Sequence, residues 1–401
     1  GIRNKVPDTE VIYELGCNHA ADFVIQDLGS HITSPAGQGF ASEFFNNTEF
    51  KGEAAYKGLA SQLHYTTGGN TQFAPNVNLT NFTARFTGEF EAPETEQVEE
   101  TEQADLTDAR EEYIKFGNFD QWLVRNVKES GIIGGNTKTL YEIAPNGTWN
   151  NSNPYRNQGG SPWATSNVLA KVAGITKTNT SVYREARPGH GFCAKLSTHE
   201  EKCVVLGLVN IKVLAAGSIY LGQTQEPITG TSNPMSKLDA GIRFNRRPQA
   251  IRFDYQVKLS GKPDRVRQTG FGKAKKVAGM DMADCILYLQ KRWEDKDGNI
   301  YARRVGTMVV RFNKSTGWIN NATYRIHYGD ITKQKFYRSY MGLTTGDYVK
   351  YARNSKGKMV PVKEVGWGAA NETPTHLVLQ FDSSHGGAYV GSVGNTLWVD
   401  N

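Results

Sequence analysis

The chain has 401 residues and a mass of 44.4 kDa, too long for one ordinary core, and carries a formal charge of +6 at pH 7. Its 42 glycines, 18 tyrosines and 18 phenylalanines favour strands joined by many turns over helices. No run approaches the roughly 18 apolar residues that cross a bilayer, which excludes a helical membrane span and predicts a soluble chain.

The sequence starts at Gly1 without an initiator methionine, as removal of a secretion signal or replacement of a native start would leave it. In "NVNLTNFTARFTGEFE", Val77, Leu79, Phe82, Ala84 and Phe86 broadly alternate with polar residues and predict strands. "GEAAYKGLASQLHYTTGG" reads equally as a short helix or a strand. Residues 88–112 then hold eleven acids against Arg110, a local balance of −10. Such a stretch reads as solvated. It divides the chain into a smaller β-rich domain at 1–90, an acidic linker or loop at 91–112 and a larger domain at 113–401.

Phe116, Phe119 and Trp122 open a new apolar cluster, and glycines 134 and 135 mark a turn. The stretch "NGTWNNSNPYRNQGGSPWATSN" is a polar loop containing Trp149, Tyr155 and Trp163. "CVVLGLVNIKVLAAGSIYLGQ" predicts two buried strands with a turn at Asn210. Cys17, Cys193, Cys203 and Cys285 lack the CxxC or CxxH spacing of a zinc or redox site. Cys193 and Cys203 flank a predicted hairpin turn at "LSTHEEK" and either pair there or remain buried thiols.

From 242 onward apolar and polar residues alternate cleanly, and Asp297-Gly298 is a strong hairpin signal. Many short strands without an amphipathic helix predict an all-β fold, a two-sheet jelly-roll sandwich. Residues 243–276 carry eleven bases against Asp254 and Asp264. No helical, zinc or RNA-binding signature accompanies them, so they read as solvated strand faces and nucleic acid is not the expected partner.

Three stretches, "AAGSIYLGQ", "FNRRPQAIRFDYQVKLSGKPD" and "HLVLQFDSSHGGAYVGSVGNTLWVDN", resemble the C-terminal domain of the Bacteroides-type family called the putative carbohydrate metabolism domain. The resembling positions are Arg247, Pro248, Phe253, Tyr255, Asp264, Ser383, Ser384, Gly391, Leu397, Val399 and Asp400. The resemblance spans most of 163–401. It implies a sandwich like that of carbohydrate-binding modules, in a secreted or cell-envelope protein (periplasm or outer surface), and brings no catalytic motif.

In the terminal "TLWVD", Leu397 and Val399 project to one face and Trp398 and Asp400 to the other. By analogy with carbohydrate-binding jelly rolls Asp400 would sit near a structural calcium. One acid is far short of the roughly 6–8 oxygens calcium takes, so a turn or cap role is expected and no metal site is assigned.

Glycoside hydrolysis needs two carboxylates, for which Glu129, Glu185, Asp239, Asp254 and Asp382 are the candidates. Asp254 beside Arg252 also reads as a cross-strand ion pair. "DSSHGG" gathers Asp382, Ser383, Ser384 and His385 on one loop without a GxSxG elbow. Sugar binding needs less: an aromatic face for the C–H surface of a pyranose and a few polar groups for its hydroxyls. Trp149, Tyr155, Trp163, Trp318 and Trp367, all at loops or turns, are the candidate ligand-binding residues. Trp163 serves equally as a core plug, and Trp293 and Trp398, inside strand patterns, are expected in the core.

The expected function is therefore a noncatalytic glycan-binding protein whose partner is a poly- or oligosaccharide and which needs no cofactor. The alternatives are a glycoside hydrolase or other carbohydrate-active enzyme, and a cell-surface structural or adhesion protein with a protein partner.

Overall fold

The computed structural model describes residues 32–61, 71–90, 110–172, 174–205, 209–230, 232–270 and 272–401. The chain divides into two compact units, Gly1–Gln97 and Val98–Asn401. Cys17 and most of the acidic stretch, 91–109, lie outside the described residues.

In the first unit, Phe40–Phe45 is a central strand paired antiparallel with Tyr56–Ala60 and Thr83–Thr87. Alternation buries Phe44, whose ring meets those of Tyr56, Phe82 and Phe86 at 6.0–6.3 Å between centroids. In the segment that reads equally as helix or strand, Tyr56–Ala60 is a strand, and residues 62–69 lie outside the described residues. Leu79 departs from expectation: it lies outside the strands and is exposed.

The second unit is built around a two-sheet sandwich, with smaller sheets beside it, one of them formed by Trp122–Lys128, Thr137–Ile143 and, at its edge, Gly147–Trp149. The strands of the sandwich begin with β1 (Trp163–Thr165), β2 (Val182–Ala186), β3 (Phe192–Ser197), β4 (Ser218–Thr224), β5 (Leu238–Ala240), β6 (Ile242–Arg243) and β7 (Ala250–Lys258). They continue with β8 (Ala283–Glu294), β9 (Ile300–Phe312), β10 (Ile319–Arg325), β11 (Tyr351–Arg353), β12 (Met359–Trp367), β13 (His376–Asp382) and β14 (Thr396–Asp400). One sheet has the order β2-β3-β14-β7-β10. The other runs β1-β4-β5-β11-β12-β9-β8-β13-β6, with β4 also pairing β13. Two parallel pairings, β5 with β11 and β9 with β12, extend this larger sheet beyond a simple antiparallel jelly roll.

Period-two alternation builds the core. Cys285, Leu287 and Leu289 of β8 and Leu377, Leu379 and Phe381 of β13 face inward from the large sheet. Phe253, Val257, Leu397 and Val399 meet them from the small one. Each such buried side chain contributes about 1.5–3 kcal/mol. The last strand lies between β3 and β7, and Leu397 and Val399 face the core as expected.

The Asp297-Gly298 turn joins β8 to β9: Gly298 N donates to Asp295 O at 3.0 Å, and Gly298 has φ 91°. A side chain there would also meet Asn354 Nδ2 at 2.7 Å, so glycine is required twice over. The hairpin expected around "LSTHEEK" is absent. β3 belongs to the small sheet, while His199–Val205 starts another sheet with Val209–Ala215. Cys193 and Cys203 are accordingly free thiols on different sheets. Asn210 pairs with Val204 inside that ladder rather than forming a turn. Among the described residues no helix is long and apolar enough to cross a membrane.

Candidate functional site

A cleft of about 1620 Å³ opens in the second unit, lined by residues of 110–119 and 242–253 together with Asn321, Thr323 and Asp400. Its base is apolar: Trp163, Phe253, Leu379 and Phe381 line it and are buried. Its rim is charged and aromatic. Tyr113 is 82% exposed there, and Phe244, half-buried, lies beside Arg243 and Arg246.

The segment 110–119 is fastened across this opening. Glu111 pairs with Arg252 and Glu112 with Arg246, so the end of the acidic stretch is docked rather than a free tether. Ile114 and Phe116 pack against the core, and Trp163 Nε1 donates to Lys115 O at 3.1 Å. Phe116 and Phe119 have φ of 60° and 46°. A bulky residue in the left-handed region costs roughly 1–3 kcal/mol and persists only where its surroundings hold it, which is commonest at functional sites.

Next to the cleft lies a buried charge centre. Arg187 Nη1 donates to Asp254 Oδ2 at 2.7 Å and to Asp400 Oδ2 at 2.6 Å, and its Nη2 donates to Asn320 Oδ1 at 2.8 Å. Asn321 N donates to Asp254 Oδ1 at 2.6 Å. The Trp318 ring covers the guanidinium, 3.9 Å from its carbon. Burial pushes the Asp400 carboxyl up while Arg187 pulls it down, with a net rise. Burial also works against the Arg187 cation, but its bonds to Asp400 and Asp254 raise its pKa overall. Asp254 therefore pairs with Arg187, not with Arg252 as the sequence had implied, and Asp400 has a guanidinium where a calcium was considered. Among the described residues no group of three metal-type ligands occurs.

The loop aromatics do not make the platform expected of them. Trp163 is 2% and Tyr155 4% exposed, and only Trp149 is half-buried. The cause is a buried triad. Arg125 bonds Glu142 at 2.6 Å and Glu226 at 2.7 Å, Tyr155 N donates to Glu226 Oε2 at 2.7 Å, and the Tyr155 ring lies 5.1 Å from the guanidinium. Charges so enclosed need a lid, and the polar loop supplies it. Burial raises Glu142 to about 8 against the pull of Arg125. Trp318 and Trp367 are half-buried, the first on Arg187 and the second 5.8 Å from Arg304.

The remaining acids are structural. Glu129 accepts from Thr178 N at 2.9 Å, Glu185 from Trp398 Nε1 at 2.8 Å, and Asp239 from Arg353 N at 3.1 Å. Asp382 faces Asp284 across the β8–β13 ladder. Burial first, then each other's proximity, raises Asp284, and burial raises Asp382, but neither residue lines the cleft. Ser384 Oγ donates to Asp281 Oδ2 at 2.5 Å, and His385 Nδ1 stands 3.2 Å from Asp281 Oδ1. The serine thus bonds the acid rather than the imidazole, which latches a loop and does not activate a nucleophile.

Tyr113 and Phe244 were not singled out from the sequence, although an aromatic between charged neighbours in "REEYIKF" and "RFNRR" was the available signal. A family model described as putative carbohydrate metabolism domain matches residues 118–401. No curated protein matches. Among solved structures, a putative glycoside hydrolase from Bacteroides thetaiotaomicron is similar at 16% identity and TM-score 0.34, with 69% of each chain covered. Another, from Bacteroides vulgatus, is similar at 14% identity and TM-score 0.31, with 55% of this chain and 75% of that one covered.

Proposed function

The chain belongs to the putative carbohydrate metabolism domain family through residues 118–401, and from that membership we propose that it binds a poly- or oligosaccharide in the cleft beside Tyr113 without cleaving it. The observation that carries this reading is an 82% exposed ring held at the mouth of a 1620 Å³ cleft by a docked, strained segment. Tyr113 and Phe244 offer faces to the C–H surface of a sugar, and Asn321 and Arg243, both exposed, offer hydrogen bonds to its hydroxyls. We place the protein outside the cytoplasm, secreted or in the cell envelope, where such ligands are met. A glycan array followed by calorimetry on the hits tests it; silence on plant, host and microbial glycans would remove the reading and leave a surface structural or adhesion role.

A second reading, glycoside hydrolysis, draws on Asp254 and Asp400, a carboxylate pair with Asp400 raised by burial and lining the cleft. Hydrolysis requires the two groups to flank the scissile bond, about 5–5.5 Å or 6.5–9.5 Å apart. Here one guanidinium nitrogen sits between them, in the space a sugar would need, and this ranks binding first. Release of reducing ends from a polysaccharide panel, lost on Asp400→Asn, would reverse the order.

A further inference from the structure

The ends of β8 and β9 nearest their turn carry Trp293, expected in the core, and Tyr301. Trp293 and Tyr301 are direct register partners, and Lys363 of β12 is the partner of Tyr301 on the next strand. Register partners share a face, so the three side chains cross the ribbon in line. The two rings are 5.8 Å apart between centroids with planes 22° apart, and Trp293 is 43% exposed. Large aromatic surface left open on a sheet is a mark of recognition.

Three bases gather around the row, one of them paired with an acid. Lys363 Nζ stands 5.7 Å from the Tyr301 ring and Arg303 Cζ 6.0 Å from the Trp293 ring. Lys291, the register partner of Arg303, shares their face. Arg303 is paired with Glu372 at 2.7 Å. Among the described residues neither Lys291 nor Lys363 has a carboxylate within ion-pair distance. On the opposite face Ile300, Ala302, Val362 and Ala352 are packed together, so the row stands on a fixed base.

We propose that this ribbon is a second glycan site, separate from the cleft, that takes polysaccharides bearing carboxylate or sulfate groups. The exposed indole covers a pyranose face, and Lys363 and Lys291 meet the acid groups. The sugar class rests on the carbohydrate reading of the family, but the site does not depend on the cleft.

The test titrates the whole chain with polygalacturonate, heparin, a methyl-esterified pectin, desulfated heparin and oligo-dT, at low and high salt. Acidic glycans should bind, with affinity falling about tenfold in Trp293→Ala and falling with salt; the esterified or desulfated forms should bind more weakly, and polygalacturonate against heparin separates carboxylate from sulfate. Lys363→Gln, exposed and remote from the core, should weaken acidic glycans at an unchanged melting temperature. Tyr113→Ala should leave this binding intact, so a failed cleft and a failed ribbon give different results. Unchanged affinity in both ribbon variants, equal binding of acidic and neutral forms, preference for oligo-dT, or a concentration-dependent dimer that Trp293→Ala abolishes would each overturn the proposal.

Discussion

Asp254 and Asp400 stand directly opposite each other on adjacent strands and accept hydrogen bonds from the same nitrogen of Arg187, at 2.7 and 2.6 Å. Two carboxylates would repel at this range; the shared guanidinium makes the pair tolerable and joins β7 and β14 to the turn after β2.

Removing the bridge exposes what it offsets. Arg187→Ala leaves two buried carboxylates unpaired and should cost about 3–5 kcal/mol of stability at pH 7. Without the cation the Asp400 carboxyl, already raised by burial, rises further, so that cost grows as pH rises from the unfolded carboxylate value, is full above the folded one and fades below the unfolded one. Denaturant unfolding of variant and parent at pH 4 and pH 7 should show a smaller gap at pH 4; a constant gap would mean that the guanidinium acts through packing alone.

His376 sets a limit on the acid side. Burial first, then Arg292 and Arg243, lowers its pKa to about 3, and its Nδ1 lies 2.9 Å from Thr375 Oγ1. A depressed folded value means stability that is full above the unfolded pKa of about 6.5 and is lost as pH falls from there toward 3. His376→Asn, which keeps a polar atom near Thr375, should flatten the fall in melting temperature between pH 6.5 and 4. An identical slope in the variant would place the acid sensitivity elsewhere.

The two tryptophans once grouped as sugar contacts should behave differently. Trp163→Ala opens the base of the core and should cost about 3–5 kcal/mol, whereas Trp149→Ala, half-buried at the edge of its sheet, should cost distinctly less. Equal losses on thermal unfolding would mean that the Trp149 loop is as much a part of the core as β1.

Much of the sandwich was legible because the apolar run at 285–289, bounded by the Asp297-Gly298 turn, and the terminal "TLWVD" are local signals of strands. The loop at 147–165 misled because its polarity reflects partners distant in sequence: Arg125, Glu142 and Glu226 pull Tyr155 inward, and no window around residue 155 contains them. Trp293 misled in the opposite sense, since period two assigns it a face but not whether a second sheet covers that face. The pairing of Asp382 with Asp284 and of Asp254 with Asp400 depends on strand register, which sequence spacing does not supply.

The central claim is noncatalytic glycan binding at the Tyr113 cleft, and calorimetric titration of the parent and Tyr113→Ala with the best oligosaccharide from an array, with the product mixture analysed for new reducing ends, tests it most directly. The account predicts that Tyr113→Ala loses about 1–3 kcal/mol of binding at an unchanged melting temperature, while the oligosaccharide is recovered intact from both. Undiminished affinity in the variant, or cleavage by the parent that Asp400→Asn abolishes, would contradict it.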